Sequence, residues 1–281
     1  MTTHAAALTT GQTLVYDRMG TPGAVPVLLI HGLSGYRQTY VAVVDHLIRK
    51  SPLAGRCEVF SIDLRGHGES SHADLQHYSA SDYTDDVEAF ISSVIGASPI
   101  VAGHSLGGVV AARLAQRSPH LTAGVFLEDP PLFEGDDARR AASPVASFFT
   151  QMVAAVRSLQ SQGAGPEHYE PIAQPMTHPD QMVYRCAALQ RWDPATMEAA
   201  VKGIIWRDFE PLTPITVPVT ALRADPAYGA VFLPDDGNRF AGANPHARVV
   251  QVDGATHGIH DTPTLAPYLR ELDRFVESVS R

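Results

Sequence analysis

Up to about residue 130, short apolar runs alternate with longer stretches whose apolar positions recur every three or four residues. The short runs, at 14–18, 25–30, 57–62, 99–103 and 123–127, have the length and composition of strands. The longer ones, at 39–49, 82–95 and 106–116, have helical period. Strand and helix in alternation predict a parallel sheet with crossover helices. The pattern then changes. From residue 130 to about 214 the periodicity is mostly helical, as in Val145, Phe148, Phe149, Met152, Val153, Val156 and Leu159, with breaks at Gly163, Pro166, Pro171, Pro175 and Pro179. Strand patterns resume at 217–224 and 248–252, and an amphipathic helix at 264–278 closes the chain. This predicts an α/β core built from residues 1–130 and 215–281, interrupted by a helical insertion at 131–214.

The strongest chemical signal falls where one predicted strand meets a helix. In SPIVAGHSLGGVVAARLAQ, residues Gly103 to Gly107 read GxSxG. A sharp turn there lifts the Ser105 hydroxyl above the sheet while the glycines relieve crowding, which makes Ser105 the candidate nucleophile. A serine needs a base and an oxyanion site. The strand VPVLLI runs into His31 and Gly32, and this turn can aim the Leu33 N–H at the same space as the N–H of Leu106. His31 reads as a turn-stabilising residue. The candidate base is His257 in VDGATHGIHDTP, close to a strand exit, with His260 as competitor.

LLIHGLSG, FSIDLRGHGESS, GHSLGG and GATHGIH, in this order, together resemble the α/β-hydrolase superfamily over nearly the whole chain, with the insertion where that family carries its cap. The resemblance implies a mostly parallel eight-stranded sheet flanked by helices, a helical cap before the late strands, the chain order serine, acid, histidine, and a pocket between core and cap. A serine nucleophile points to esterases and lactonases, since epoxide hydrolases and haloalkane dehalogenases carry an aspartate there.

The acid is not settled by the motifs. Most of the family places it after the strand that follows the cap, in a pattern like GxxD, whereas here the stretch reads LRADPAYG. Asp225 is the first candidate, and it requires a locally shortened loop. The second is Asp129, 24 residues after Ser105, at the end of the strand before the cap. Some haloalkane dehalogenases and the fungal lactonases that open zearalenone look to carry their acid at that place. Its neighbour Glu128 would point to the other side of the strand and reads as a strand end meeting solvent. Asp235 and Asp236, in LPDDGN, read as a solvated turn.

Composition narrows the remaining possibilities. A hydrophobic content of 44% supports a sizeable core, and no apolar run approaches the ~20 residues of a membrane-spanning helix. Twenty-one basic against 30 acidic side chains, a net charge of −9, argue against a nucleic-acid partner. Cys57 and Cys186 lack metal or redox spacing, and the 13 histidines form no HExxH pair, so neither metal nor cofactor is expected. The start has no signal-peptide pattern, which with the cysteine usage suggests a cytoplasmic monomer or homodimer. The insertion is rich in aromatic and thioether side chains, including Met176, and most should pack it onto the sheet. Met152, Trp192 and Trp206, with His104 beside the nucleophile, are pocket candidates for a mainly apolar small-molecule substrate. Arg157, Arg185, Arg191 and Arg207 leave an anionic substrate open. The leading expectation is an ester or lactone hydrolase. The alternatives are carbon–carbon bond hydrolysis, cofactor-free peroxidase or oxygenase chemistry, and a small-molecule receptor.

Overall fold

The computed structural model describes residues 2–142, 145–261 and 263–280. The side chains of Val145, Phe148 and Met176 lie outside what it describes. One sheet of eight strands runs through the molecule: β1 (Thr2–Ala7), β2 (Thr13–Gly20), β3 (Val25–Ile30), β4 (Cys57–Ile62), β5 (Ile100–His104), β6 (Gly124–Glu128), β7 (Val219–Arg223) and β8 (Arg248–Gln251). Their order is β1-β2-β4-β3-β5-β6-β7-β8. β2 pairs antiparallel with both β1 and β4, and all remaining pairs are parallel. The chain winds outward from β3 to β4 and then returns to place β5 on β3's other side. This reversal opens a crevice at the carboxyl ends of β3 and β5, the usual ligand site of such sheets.

Ten α-helices are described: α1 (Val41–Asp45), α2 (Ala80–Phe90), α3 (Leu106–Arg117), α4 (Asp137–Ala142), α5 (Val145–Ser161), α6 (Glu170–Ala173), α7 (Met182–Gln190), α8 (Ala195–Val201), α9 (Pro234–Ala243) and α10 (Leu265–Val279). Period-two alternation divides the strands between two apolar layers. Leu28, Ile30, Val101, Val125 and Leu127 face the layer shared with α2 and α3. Val27, Leu29, Ile100, Ala102 and Phe126 face the layer shared with α1 and α10. Each such side chain taken fully from water contributes about 1.5–3 kcal/mol, so the central strands need apolar residues at every position.

Two elements depart from the sequence reading. β1 was not expected. Its residues are mostly exposed and alternate in no apolar pattern, so only its antiparallel pairing with β2 defines it. The stretch expected to be a solvated turn at Asp235 and Asp236 is the start of α9. Asp235 is exposed there, but Asp236 is buried, accepts the Leu233 N–H and is clasped at 2.8 Å by both Nη atoms of Arg139.

Helices α4 to α8 all lie between β6 and β7, so the insertion is helical as expected. Its tethers reach loops that follow β3, β4 and β6. Arg185 Nη1 donates to the Ser34 carbonyl, the Asp193 N–H to the Gly66 carbonyl, and Trp206 Nε1 to the Pro131 carbonyl. All three loops leave carboxyl ends of parallel strands, which puts the insertion over the crevice edge.

Candidate active site

β5 delivers its last residue, His104, to the crevice, and α3 begins at Leu106. Ser105 between them has φ 52° and ψ −115°. A positive φ is unfavourable for a residue with a Cβ and costs on the order of 1–3 kcal/mol. The turn persists because neighbours hold it. The Ser105 N–H donates to the Glu128 carbonyl at 2.9 Å, and the Ser105 carbonyl accepts from Gly108 and Val109. Close packing explains the glycines: a Cβ on Gly103 would collide with the Gly107 carbonyl, and one on Gly107 with the Ile30 carbonyl.

The turn after β3 presses on this elbow. A Cβ on Gly32 would lie 2.7 Å from His104 Nδ1 and 3.1 Å from the Ser105 Cβ. Leu33, the next residue, is held from behind, with His67 Nε2 2.7 Å from its carbonyl. His31 is fixed by both ring nitrogens: Nδ1 donates to the Gly32 carbonyl and Nε2 accepts from the Leu64 N–H. That pattern requires a neutral ring, and burial, then His67, hold its pKa well below the usual range. His31 is therefore a turn residue, as its position suggested. Leu106 opens a 12-residue helix, so its N–H has no intrahelical acceptor.

His257 Nδ1 lies 2.7 Å from Asp129 Oδ2. In this contact Nδ1 donates to the carboxylate, which leaves Nε2 as the ring nitrogen turned to the other side. Asp129 is fully buried, with φ 40°, and its two oxygens accept the N–H groups of Ala224, Val231 and Phe232. Those donors come from the segment after β7, so Asp129 is locked in place by a part of the chain 95 or more residues away.

Asp225, the first candidate acid, does not meet His257. It is a half-buried cap whose carboxylate accepts from Ala227 at 3.0 Å and Gly254 at 2.9 Å. These two N–H groups, Gly254 first, lower its pKa. The chain has turned by Asp225 to follow Ala255, whose carbonyl accepts its N–H, and this directs the side chain outward.

Glu128 also departs from expectation. It is fully buried and receives His260, whose Nδ1 is 2.8 Å from Oε1 and whose backbone N–H donates to the same oxygen. Burial alone would lower the His260 pKa, but Glu128 and then Asp261 outweigh it and raise the pKa. Two adjacent acids thus meet two histidines three residues apart. Neither the Glu128 contact nor its burial was anticipated, although the paired spacing of ED and HGIH was available as a signal.

His104 is buried against the site histidine. Its ring packs on His257 with centroids 4.7 Å apart, and its Nε2 donates to the His257 carbonyl at 3.0 Å. Burial and then His257 lower its pKa well below the usual range, which keeps it neutral. The other pocket candidates are also packing residues. Met152 and Trp192 are buried in the main apolar layer, and Trp206, partly buried, ties the insertion to Pro131. Among the described residues no group of His, Cys, Asp and Glu could hold a metal ion, and no helix is long and apolar enough to cross a membrane.

Known proteins resemble this chain to different degrees. The chain is 29% identical over 164 residues to an sn-1-specific diacylglycerol lipase, ABHD11, of Xenopus tropicalis, a match covering 58% of this chain and 46% of that protein. The curated relatives it matches are thus two or more times longer than the region they share. Its fold is similar to that of an enol-lactonase from Burkholderia xenovorans LB400, with TM-score 0.73, 19% identity and coverage of 98% and 100%. An esterase from Exiguobacterium antarcticum matches with TM-score 0.76, 15% identity and full coverage of both chains. The model of the alpha/beta hydrolase family matches residues 27–266, from β3 through the His257 loop into α10, and the strained elbow and its histidine lie inside that span. The chain belongs to the alpha/beta hydrolase family.

Proposed function

We propose that this protein is a serine hydrolase that cleaves a carboxylic ester or lactone through an acyl-enzyme, with Ser105, His257 and Asp129 as its catalytic triad. The 2.7 Å contact between His257 and Asp129, beside a strained Ser105, carries this reading. In the proposed first step the Ser105 hydroxyl oxygen bonds to the substrate carbonyl carbon while its proton passes to His257 Nε2. The carbonyl oxygen becomes an oxyanion, held by the N–H groups of Leu33 and Leu106, the latter at the positive end of α3. The carbon–oxygen bond then breaks, and the leaving alkoxide takes the proton from His257. In a lactone this alkoxide stays attached to the acyl group. Water repeats both steps with the acyl-enzyme, releasing the acid and restoring Ser105. Asp129 fixes the His257 tautomer and balances the imidazolium as it forms. The insertion at 131–214 serves as the roof that limits water and shapes the substrate pocket.

The test uses a panel of p-nitrophenyl esters of graded chain length beside a panel of lactones, together with a serine-directed fluorophosphonate. The fluorophosphonate should label the protein at Ser105 and abolish hydrolysis, and Ser105→Ala should prevent labelling and lower kcat by about 10⁴-fold or more. Undiminished hydrolysis by Ser105→Ala would remove this reading.

A further inference from the structure

The insertion's six arginines differ in what answers their charge: Arg139 pairs with Glu134 and Asp236, and Arg140 with Asp137. Arg157 pairs with Glu198, Arg207 reaches Asp82 and the Gln76 carbonyl, and Arg191 lies 3.9 Å from Glu69. Arg185, on α7, makes no ion pair with any described residue. Its Nη1 donates to the carbonyl and hydroxyl oxygens of Ser34, each at 2.9 Å. Ser34 directly follows Leu33, so the guanidinium sits at the turn that presses on Ser105. Its charge acts on His31, His104 and His260, which places it above the same crevice.

What remains of the guanidinium is informative. Nε is buried and has no acceptor, and among the described residues Nη2 has none either. Nε and Nη2 form the side edge of the guanidinium, whose two parallel N–H groups match a carboxylate. A desolvated cation with unfilled donors is costly unless an anion completes it. The Asp261 carboxylate favours the charge from beyond ion-pair distance, and no described side chain fills the free Nε donor.

We propose that Arg185 anchors a carboxylate on the substrate, so that this site takes an ester or lactone bearing a free acid group a short distance from the scissile carbonyl. This rests on the hydrolase reading above for the scissile group, but not for the anion. Ser34 holds one edge of the guanidinium and the substrate carboxylate occupies the other. The same contact couples substrate binding to the position of Leu33.

Two measurements separate the anchor from the chemistry. In the Ser105→Ala protein, calorimetry should show monomethyl glutarate binding at least about tenfold more tightly than dimethyl glutarate. Adding Arg185→Gln should erase that preference, and Arg185→Lys should retain part of it. In the protein with Ser105 intact, kcat/KM for the p-nitrophenyl monoester of glutaric acid should exceed that for p-nitrophenyl valerate, and Arg185→Gln should reduce this ratio by roughly ten- to hundredfold. An equal loss for both esters would show that Arg185 only braces the Ser34 turn, and no preference for the acid form would overturn the proposal outright. Arg185-dependent binding of monomethyl glutarate, with no ester or lactone turned over, would keep the anchor and remove the hydrolase reading.

Discussion

Ser105 and Asp129 are the two non-glycine residues with positive φ among those described. Each directly follows one of two neighbouring strands, β5 or β6, and each carries conformational strain that aims a polar side chain at the crevice. Asp225 shows no such distortion, and its carboxylate is already satisfied by the N–H groups of Ala227 and Gly254. Asp129→Asn should therefore lower kcat by on the order of 10⁴-fold, as expected when the histidine tautomer is lost, while Asp225→Asn should change it less than about tenfold. Melting curves of both variants must accompany the kinetics, because an asparagine amide would face backbone N–H groups at position 129. Similar losses from both would sink the assignment. The choice between these acids was not legible in the sequence. LRADPAYG and GVFLEDPP each offer an aspartate at a strand end, and the deciding features are a backbone angle and three donors from distant residues.

At the scale of elements, the contact between α3 and the strands is set by glycine. Gly107 lies against the Ile30 carbonyl so closely that a methyl group has no room, and the obstacle is backbone. Gly107→Ala should destabilise the protein by about 1–3 kcal/mol or more. Gly242, exposed near the end of α9 with open space around its Cα, should behave oppositely. Gly242→Ala should stabilise by up to about 1 kcal/mol, the helix-propensity difference. Urea titration of both variants tests the pair, and equal effects would contradict the packing account. The same contrast explains what could be read in advance. β3 and β4 were located to the residue because burial on both faces favours mainly apolar runs. β1, with alanine and threonine largely in solvent, and α9, with two glycines and an asparagine, carry little such signal.

For the molecule as a whole, Glu128 and His260 join the centre of the sheet to the loop that leads into α10. Asp261, Arg185, His104, Tyr40 and Tyr268 surround His260. Its folded pKa is raised above the ordinary 6.5, so its contribution to stability is complete below that value and is lost as pH rises through the folded pKa. Glu128→Gln removes the principal cause. The variant should be less stable by about 3 kcal/mol in mildly acidic buffer, and the gap should narrow in alkaline buffer. Chemical denaturation at about pH 6 and about pH 9 reads this directly, and a gap that does not change with pH would refute it. The partnership could not be inferred from either segment alone, because 132 residues separate Glu128 from His260.

The donors that hold Asp129 have a consequence for synthesis. The proposed nucleophile, its proposed acid and both proposed oxyanion donors lie in the first 129 residues, before the insertion. Yet Asp129 receives its N–H groups from Ala224, Val231 and Phe232, and its histidine only at residue 257. A nascent chain can shape the serine elbow early, but it cannot complete the site until its last quarter has emerged. The order of the parts along the chain thus acts as a safeguard in time, with the proposed catalytic set complete only after the helical insertion has been made.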